Sequence, residues 1–243
     1  MIRDVRRAPG RALGYSMLTS VFLLTVGCGE EPTSSCSLAG EAQIRFVNAA
    51  HTAAVVDVRW AGDEAFTDVA YGEAGAAGQY KVLPAGCPVV RVFANATNTE
   101  LSFGTFFAGA DKRYTLALVR NGQSYTVASL ADTAATPAAG KAKLRVVHFS
   151  LLAESSLDVY VTASGADIAA ATPTAAGVQL RAATTYVELP AGSYRVRVTR
   201  SGEKTVLLDT GAIELADGTI RTVFALDPGT DAFPLRQLSV ADN

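Results

Sequence analysis

Two stretches of the sequence share one frame: YKVLPAGCPVVRV at residues 80–92 and YVELPAGSYRVRV at residues 186–198. Each begins with Tyr and two further residues that include Val, and continues through Leu-Pro-Ala-Gly. Each ends in a run in which hydrophobic and other residues alternate. Proline fixes φ and glycine adopts conformations that other residues resist, so the shared tetrapeptide predicts a corner between two strands. Its recurrence indicates that one domain has been duplicated.

Further matched segments extend the duplication to most of the chain. The pairs are AQIRFVN (42–48) with AKLRVVH (142–148), VDVRW (56–60) with LDVYV (157–161), and SLAD (129–132) with SVAD (239–242). We therefore expect a first repeat at 42–132 and a second at 142–243. The Ala/Pro/Gly-rich stretch 133–141 is the predicted linker between them.

Hydrophobic residues recur with a period of two within each repeat. Val56, Val58 and Trp60 alternate with the positions between them, as expected for β-strands. Asn121-Gly122 between two alternating runs predicts a hairpin, because this pair tolerates the positive φ angles of a type I′ turn. Seven or eight short strands in each repeat predict an all-β fold, namely two tandem antiparallel immunoglobulin-like β-sandwiches.

The motifs of the first repeat resemble a bacterial family known as domain of unknown function 4397, which reads approximately V-N/H-A-S-P-D-A-P-x-V-D-V, then Y-G, then Y-x-x-(L/V)-P-A-G. The matching stretches are VNAAHTAAVVDV (47–58), Tyr71-Gly72, Tyr80 and Leu83-Pro84-Ala85-Gly86. His51 and Thr52 depart from the family pattern, and the second repeat lacks the Tyr-Gly pair. The resemblance implies a secreted or lipid-anchored envelope protein, often with tandem copies, and no established activity.

The first 27 residues differ from the remainder. Four arginines precede an uncharged run of 16 residues from Ala12 to Gly27, which is the pattern of a secretory signal peptide. That run is shorter than the ~20 apolar residues of a membrane-spanning helix. LLTVGC at 23–28 resembles the lipobox of bacterial lipoproteins, in which the cysteine is acylated and becomes the mature N-terminus. We expect a signal peptide at 1–27, a lipidated Cys28 and a flexible tether at 28–41.

The expected location is the bacterial cell envelope. By resemblance to lipoprotein sorting in two-membrane bacteria, Gly29 favours the outer membrane, reached through palmitate or a related acyl chain on Cys28. Ordinary signal cleavage beside a coincidental cysteine is the alternative. Residues 1–27 hold four of the 21 basic and one of the 23 acidic residues, so their removal changes the net charge from −2 to −5. This acidic balance excludes a basic surface for nucleic acid.

Acylation of Cys28 leaves Cys36 and Cys87, an even pair in an oxidising compartment. The second repeat has Ser193 at the position of Cys87. Both thiols therefore occur only in the first half of the chain, as a disulfide requires. We expect a Cys36–Cys87 disulfide, with two free buried thiols as the alternative.

A search for catalytic motifs finds no H-E-x-x-H, G-x-S-x-G or phosphate-binding glycine loop. His51 and His148 are the only imidazoles, and neither belongs to a cluster with metal-ligand spacing. We expect no enzymatic activity, no metal and no cofactor. The alternative is an envelope enzyme or accessory domain with a polar site near His51 or His148.

One charged set recurs in both repeats. It consists of Arg45, Asp57 and Arg91 in the first copy and Arg145, Asp158 and Arg197 in the second. Our interpretation is that these residues form cross-strand ion pairs on the outer face of each sandwich. The alternative is a repeated carboxylate–guanidinium site for a polar ligand such as a sugar acid or a peptide terminus.

Aromatic residues cluster in the first repeat at Trp60 and in the stretch FGTFF (103–107). Exposed, they would provide a platform on which sugars stack. The alternation around them favours a strand of the sandwich core with a glycine bulge. We therefore expect Trp60, Phe103, Phe106 and Phe107 to be core residues.

These observations predict a lipid-anchored protein that acts as a non-catalytic binding, adhesion or scaffold module. The lipid supplies the membrane affinity, and loops of the sandwiches supply the specificity. The expected partner is an envelope protein or polysaccharide. A purely structural spacer is a further interpretation, and the sequence leaves the oligomeric state open.

Overall fold

The structure is a computed structural model that describes residues 36–153, 156–230 and 232–243. The predicted signal peptide, the predicted lipidation site at Cys28 and most of the predicted tether lie outside the described residues. Within those residues, no helix is both long enough and apolar enough to cross a membrane.

The first repeat contains eight strands and one short 3-10 turn at Gly75–Gly78. Its strands are β1 (Ser37–Asn48), β2 (Val55–Trp60), β3 (Asp63–Ala70), β4 (Lys81–Gly86), β5 (Val89–Ala94), β6 (Thr99–Thr105), β7 (Arg113–Asn121) and β8 (Ser124–Ala131). β1 therefore begins inside the stretch that the sequence assigned to the tether. The β7–β8 hairpin is confirmed, with Gly122 and Gln123 as its central residues. Gly122 has a φ of 62°, and glycine at the first central position is typical of a type II′ turn rather than type I′.

The described residues of the second repeat form eight strands in the same order. They are β9 (Lys141–His148), β10 (Leu157–Ala163), β11 (Ala175–Val178), β12 (Val187–Pro190), β13 (Gly192–Arg200), β14 (Val206–Leu215), β15 (Ile220–Leu226) and β16 (Arg236–Ala241). Strand by strand, β9 to β16 correspond to β1 to β8. The prediction of seven or eight strands in each repeat is confirmed.

Each repeat is a sandwich of two four-stranded sheets. The inner sheets have the orders β4-β1-β7-β8 and β12-β9-β15-β16, and the outer sheets have the orders β3-β2-β5-β6 and β11-β10-β13-β14. Two tandem β-sandwiches are therefore confirmed. All strand pairs are antiparallel except β1 with β7 and β9 with β15. A parallel pair needs a long crossover, which here is the passage of the chain through the outer sheet.

The Leu-Pro-Ala-Gly motif lies where the chain leaves an inner sheet for an outer one. Leu83 and Pro84 pair with β1, and β5 then begins in the outer sheet. Gly86 has a φ of +133°, and a Cβ at this position would lie 2.7 Å from the carbonyl oxygen of Cys36. Glycine is needed because the backbone beside Cys36 approaches so closely. The next residue, Cys87, forms the predicted disulfide with Cys36.

Successive residues of β1 and β9 point alternately into the core of their own sandwich and towards the other sandwich. Ile44 and Phe46 enter the core of the first sandwich, whereas Val47 packs against the second repeat. The second sandwich has its own core. A third apolar core joins the inner sheets, and it contains Val47, Ala49, Ala117, Val119, Val147, Phe149, Phe224, Leu226 and Val240. The two sandwiches therefore pack through their inner sheets.

The aromatic prediction is correct for two side chains and wrong for two others. Trp60 is buried, and Phe106 packs against the core of the first sandwich, with its ring centroid 6.0 Å from that of Trp60. Phe103 and Phe107 are 66% and 60% exposed. Phe103 lies on β6, an edge strand whose alternation directs it to the outer face beside Arg91.

Candidate functional site

Four buried charges join the two repeats in what we call the charge cluster: Arg45, Asp132, Arg145 and Asp242. Arg45 Nη2 lies 2.5 Å from Asp242 Oδ1, and Arg145 Nη2 donates to Asp132 Oδ1. Each arginine therefore pairs with the aspartate that closes the opposite repeat. The motifs SLAD and SVAD recur because each supplies this aspartate.

Hydroxyl groups complete the charge cluster in the same way in both repeats. Thr115 accepts a hydrogen bond from Arg45 and donates to Asp132 at 2.7 Å, and Thr222 likewise links Arg145 to Asp242. Tyr80 donates to Asp132 at 2.7 Å, and its ring lies under the Arg45 guanidinium. A buried ion pair is tolerated only when its remaining polar atoms are satisfied, and here they are.

Tyr186 repeats the arrangement of Tyr80, with its hydroxyl 2.8 Å from Asp242 Oδ2 and its ring under Arg145. Burial raises the pKa of both tyrosines, and the adjacent carboxylates raise the pKa further. The hydroxyls therefore stay neutral donors. The interpretation of Arg45 and Arg145 as outer-face residues is wrong, because residues at this register of β1 and β9 face the other sandwich.

Asp57 and Asp158 have a different role, and it is the same in both repeats. Asp57 accepts a hydrogen bond from the backbone of Asp68 and from the Asn95 amide. Asp158 accepts from the backbone of Gly177 and from the turn at Ser201 and Gly202.

Asp68 and Gly177 both have positive φ, at 54° and 67°. Asp57 and Asp158 therefore fix an irregular point of the neighbouring strand. Burial opposes ionisation of Asp158, but the hydrogen bonds from Gly202, Gly177 and Ser201 outweigh it and lower its pKa.

Arg91 and Arg197 do form ion pairs on the outer sheets, although not with Asp57 or Asp158. Arg91 Nη1 lies 2.7 Å from Glu100 Oε2, and Arg197 Nε lies 3.8 Å from Asp209 Oδ2. Within the part of the chain that the structure describes, neither predicted set of three residues is thus brought together as one site. The six residues belong to the charge cluster, to strand-bracing contacts and to outer-face pairs.

A separate cavity of about 420 Å³ opens at the other end of the interface between the repeats, and we call it the inter-repeat cleft. The first repeat contributes the β1–β2 and β7–β8 connections. The second contributes the corresponding β9–β10 and β15–β16 connections and the β11–β12 connection. The lining side chains include His51, Arg120, Leu151, Leu180 and Asp227.

Backbone hydrogen bonds define which cleft residues are equivalent in the two repeats. Ala49 bonds to Leu118 as Phe149 bonds to Ala225, so Arg120 and Asp227 occupy equivalent positions. Gly72 bonds to Asn48 as Arg181 bonds to His148, so the family pair Tyr71-Gly72 is replaced by Leu180-Arg181. From the matched sequences, His51 is equivalent to Leu151.

Around Asp227 the cleft is polar, and the Asp227 carboxylate accepts hydrogen bonds. Asp227 Oδ1 accepts hydrogen bonds from the Ser150 hydroxyl at 2.6 Å and from the backbone N–H of Leu152 at 2.8 Å. His51 Nδ1 lies 3.3 Å from Asp227 Oδ2, a close contact that is not aligned as a hydrogen bond. The Tyr71 hydroxyl donates to the Asp227 carbonyl, and burial followed by the charge of Asp227 raises the pKa of Tyr71 to about 12.

Around Arg120 the cleft is apolar, and the Arg120 guanidinium has few polar partners among the described residues. Leu151 and Leu180 stand at the positions that His51 and Tyr71 occupy on the other side. Among the described residues, the Arg120 guanidinium makes one hydrogen bond, from Nη2 to the Gly122 carbonyl at 2.8 Å, and no ion pair. Of the residues that the structure describes, none compensates the positive charge on this side of the cleft, where Arg120 lies against an apolar wall.

The two histidines have unlike environments. His51 lines the cleft, whereas His148 is buried at the end of β9, where its Nδ1 lies 3.3 Å from the backbone nitrogen of Ser150. Within the described ranges, no group of three or more His, Cys, Asp or Glu side chains is arranged to hold a metal ion.

Sequence reasoning missed most of the cleft residues. Arg120 stood beside a hairpin signal, and Asp227 lay in a turn without a motif of its own. One signal was present: the second repeat lacks Tyr-Gly, and Leu180-Arg181 stands at that place. The consequence of this replacement is visible only when the repeats face each other.

The fold and the cleft define the protein as a two-repeat β-sandwich module whose repeats share an interface. The chain matches the family described as domain of unknown function (DUF4397) over residues 42–160 and 153–242, and it belongs to this family. The two overlapping matches are consistent with two copies of the domain, as the sequence motifs indicated. None of the curated proteins matches the chain.

Proposed function

We propose that the protein is a lipid-anchored binding module of the cell envelope, and that its ligand occupies the inter-repeat cleft. The observation that carries the proposal is the unlike pair Arg120 and Asp227. These equivalent residues face one cavity, yet only Asp227 finds counter-groups within the described chain. Ligand cavities of 300–1,000 Å³ with a few convergent polar groups are typical binding sites, and the cleft is within this range.

Binding is better supported than catalysis. Asp227 lies close to His51, but the hydroxyl nearest to this carboxylate belongs to Ser150, which is fully buried and donates to Asp227. A nucleophile needs a base within hydrogen-bond reach, and the described hydrogen bonds bring no hydroxyl or thiol to the His51 ring. A spacer would require no uncompensated arginine in a cleft.

The test of binding uses the full mature protein, purified in detergent, and a panel of envelope-derived peptides and oligosaccharides. Thermal shift and calorimetry identify any saturable ligand. Leu180→Trp fills the cleft, and Val82→Trp adds the same side chain at a position that is 56% exposed and outside it. We expect Leu180→Trp alone to abolish the saturable response. An equal response in both variants would contradict binding in the cleft.

The proposed lipid anchor and membrane location are tested separately. Cys28→Ser removes the proposed acylation site without changing the described fold. Incorporation of labelled palmitate and recovery in the membrane fraction should both be lost in this variant. Retention of label would contradict lipidation at Cys28.

A further inference from the structure

The internal duplication provides a template for the missing ligand. Asp227 accepts hydrogen bonds from the Ser150 hydroxyl and the Leu152 backbone N–H, and His51 lies close to its other carboxylate oxygen. Arg120, at the equivalent position, meets Leu151 and Leu180 instead. These leucines cannot neutralise a guanidinium, and no carboxylate of the described residues pairs with Arg120, so an anionic ligand is the complement that this half of the cleft favours.

A second guanidinium strengthens the positive potential beside Arg120. Arg181 Nη2 donates to the Arg120 carbonyl at 3.2 Å and to Asn121 Oδ1 at 2.9 Å. Its Nε is buried without a hydrogen-bond partner, and it forms no ion pair among the described residues. Arg181 has a φ of 65° at the position of Gly72, so a strained residue replaces a glycine here.

The shape of the site restricts the class of anion. Leu151, Leu152 and Leu180 form a short apolar wall, and Gln123 and Thr230 are exposed polar residues at the cleft. A long acyl chain requires an enclosed apolar tunnel, whereas a peptide end requires one apolar pocket and nearby hydrogen-bonding groups. A guanidinium binds a carboxylate through two parallel hydrogen bonds, which gives both strength and orientation.

We propose that the inter-repeat cleft binds the C-terminal carboxylate of a peptide whose last residue is apolar. Arg120 receives the carboxylate, and the leucine wall receives the terminal side chain. This inference rests on the proposed function, because it assigns a ligand class to the same cleft. It places recognition on the side of the cleft where the second repeat departs from the family pattern.

The experiment measures binding of three probes to the full mature protein by calorimetry. The probes are acetyl-Ala-Ala-Leu with a free carboxylate, the same peptide as its C-terminal amide, and hexanoate. We expect the acid to bind and the amide to bind at least about tenfold more weakly, because loss of a charge-assisted pair costs this much or more. Hexanoate distinguishes a peptide end from a simple carboxylate and should bind more weakly than the peptide acid.

Matched variants locate the interaction. Arg120→Gln should weaken binding of the peptide acid about tenfold or more and leave binding of the amide unchanged. Arg59→Gln removes the same charge from the outer sheet, where the guanidinium stacks on Phe93 and has no ion pair with any residue in the described ranges, and should not alter binding. Melting curves of both variants verify that each is folded.

Each other outcome overturns a defined part of the inference. Equal affinity for acid and amide rejects carboxylate recognition and leaves binding in the cleft intact. Hexanoate as tight as the peptide acid rejects the peptide end. Binding of no probe also rejects it, and the proposed function then depends on whether Leu180→Trp abolishes the ligand found in the panel.

Discussion

The two repeats share one strand order, but they match closely at the charge cluster and differ at the cleft. At the cluster, Arg45 donates from Nε to Thr115 and from Nη2 to Asp242, and Arg145 donates from the same two atoms to Thr222 and Asp132. At the cleft, equivalent positions hold an arginine in one repeat and an aspartate in the other. Both regions lie in the same interface between the inner sheets.

The difference between the charge cluster and the cleft follows from the way the charges of the cluster are paired across the two repeats. Each repeat supplies the aspartate that neutralises the other repeat's arginine, so a change on one side leaves a buried charge on the other. Cleft residues have no such mutual requirement. The two repeats are therefore alike where their contacts stabilise the pair of sandwiches, and they differ where the interface opens into the cleft.

The largest effect should come from breaking the charge cluster. Asp132→Ala leaves Arg145 buried without its carboxylate, and we expect a loss of about 3–5 kcal/mol in the free energy of unfolding. Urea denaturation followed by circular dichroism measures this loss. Glu100→Ala is the control, because its pair with Arg91 is partly exposed and worth about 1 kcal/mol or less. A loss below about 1 kcal/mol for Asp132→Ala would contradict a structural role for the cluster.

The disulfide is a second difference between the repeats, since the second has Ser193 instead. It closes a loop with a sequence separation of 51 residues, so the double variant Cys36→Ser/Cys87→Ser should lose about 2–4 kcal/mol of stability. Wild-type protein in reducing agent should show the same lowered denaturation midpoint. An unchanged midpoint in both experiments would argue against this contribution.

Tyr80 and Tyr186 occupy equivalent positions in the charge cluster and allow the two repeats to be compared directly. Tyr80→Phe and Tyr186→Phe should each cost about 1.5–3 kcal/mol, because each removes a hydrogen bond to a carboxylate. The folded state raises the pKa of both hydroxyls, so their stabilisation is complete below the ordinary value near 10 and is lost as pH rises above it.

Phenolate absorbance during an alkaline titration measures this dependence. The signal of the two tyrosines should appear together with unfolding, and the double phenylalanine variant should lose less stability between neutral and alkaline pH. Ionisation of both groups in the folded protein near pH ~10 would contradict their burial against the carboxylates.

Asp158 should give a smaller effect at the opposite end of the pH range. Its pKa is lowered in the folded state, so its contribution is present above the ordinary value near 3.9 and is lost as pH falls below it. Asp158→Asn should cost about 1 kcal/mol at neutral pH and reduce the acid dependence of stability. Denaturation midpoints from pH ~3 to ~7 provide the comparison, and parallel curves would count against the prediction.

The smallest effect is expected in the cleft. Arg120→Gln should change the free energy of unfolding by less than about 0.5 kcal/mol, because Arg120 makes no ion pair among the described residues. Chemical denaturation of this variant beside Asp132→Ala tests the contrast directly. A large loss at Arg120 would mean that the cleft, like the cluster, is structural.

Local patterns were sufficient to predict the sandwiches. The alternation at Val56, Val58 and Trp60 matches the observed burial, and the corner after Leu-Pro-Ala-Gly lies between two strands as predicted, although the sequence did not show that these strands belong to different sheets. The disulfide was also predictable, since only Cys36 and Cys87 remain once Cys28 is assigned to the lipid. Phe103 and Phe107 were misassigned because alternation alone does not identify an edge strand or which face of it is covered.

The recurring charged set shows the limit of such patterns. Repetition of Asp57 and Asp158 was read as an ion-pair motif, but each carboxylate instead accepts hydrogen bonds from its neighbouring strand and turn. Repetition in a sequence indicates that a position has the same environment in both copies. It does not identify the partner.

By itself, the sequence determined the duplication, a β-sandwich of seven or eight strands in each copy and the disulfide, because these depend on local period, turn chemistry and residue counts. Only the tertiary structure decided that Arg45 meets Asp242, 197 residues away, and that Arg120 and Asp227 face one cleft. These contacts depend on how the two inner sheets pack. Alternation directs a side chain out of its own sandwich, but only the second sandwich determines what that side chain meets.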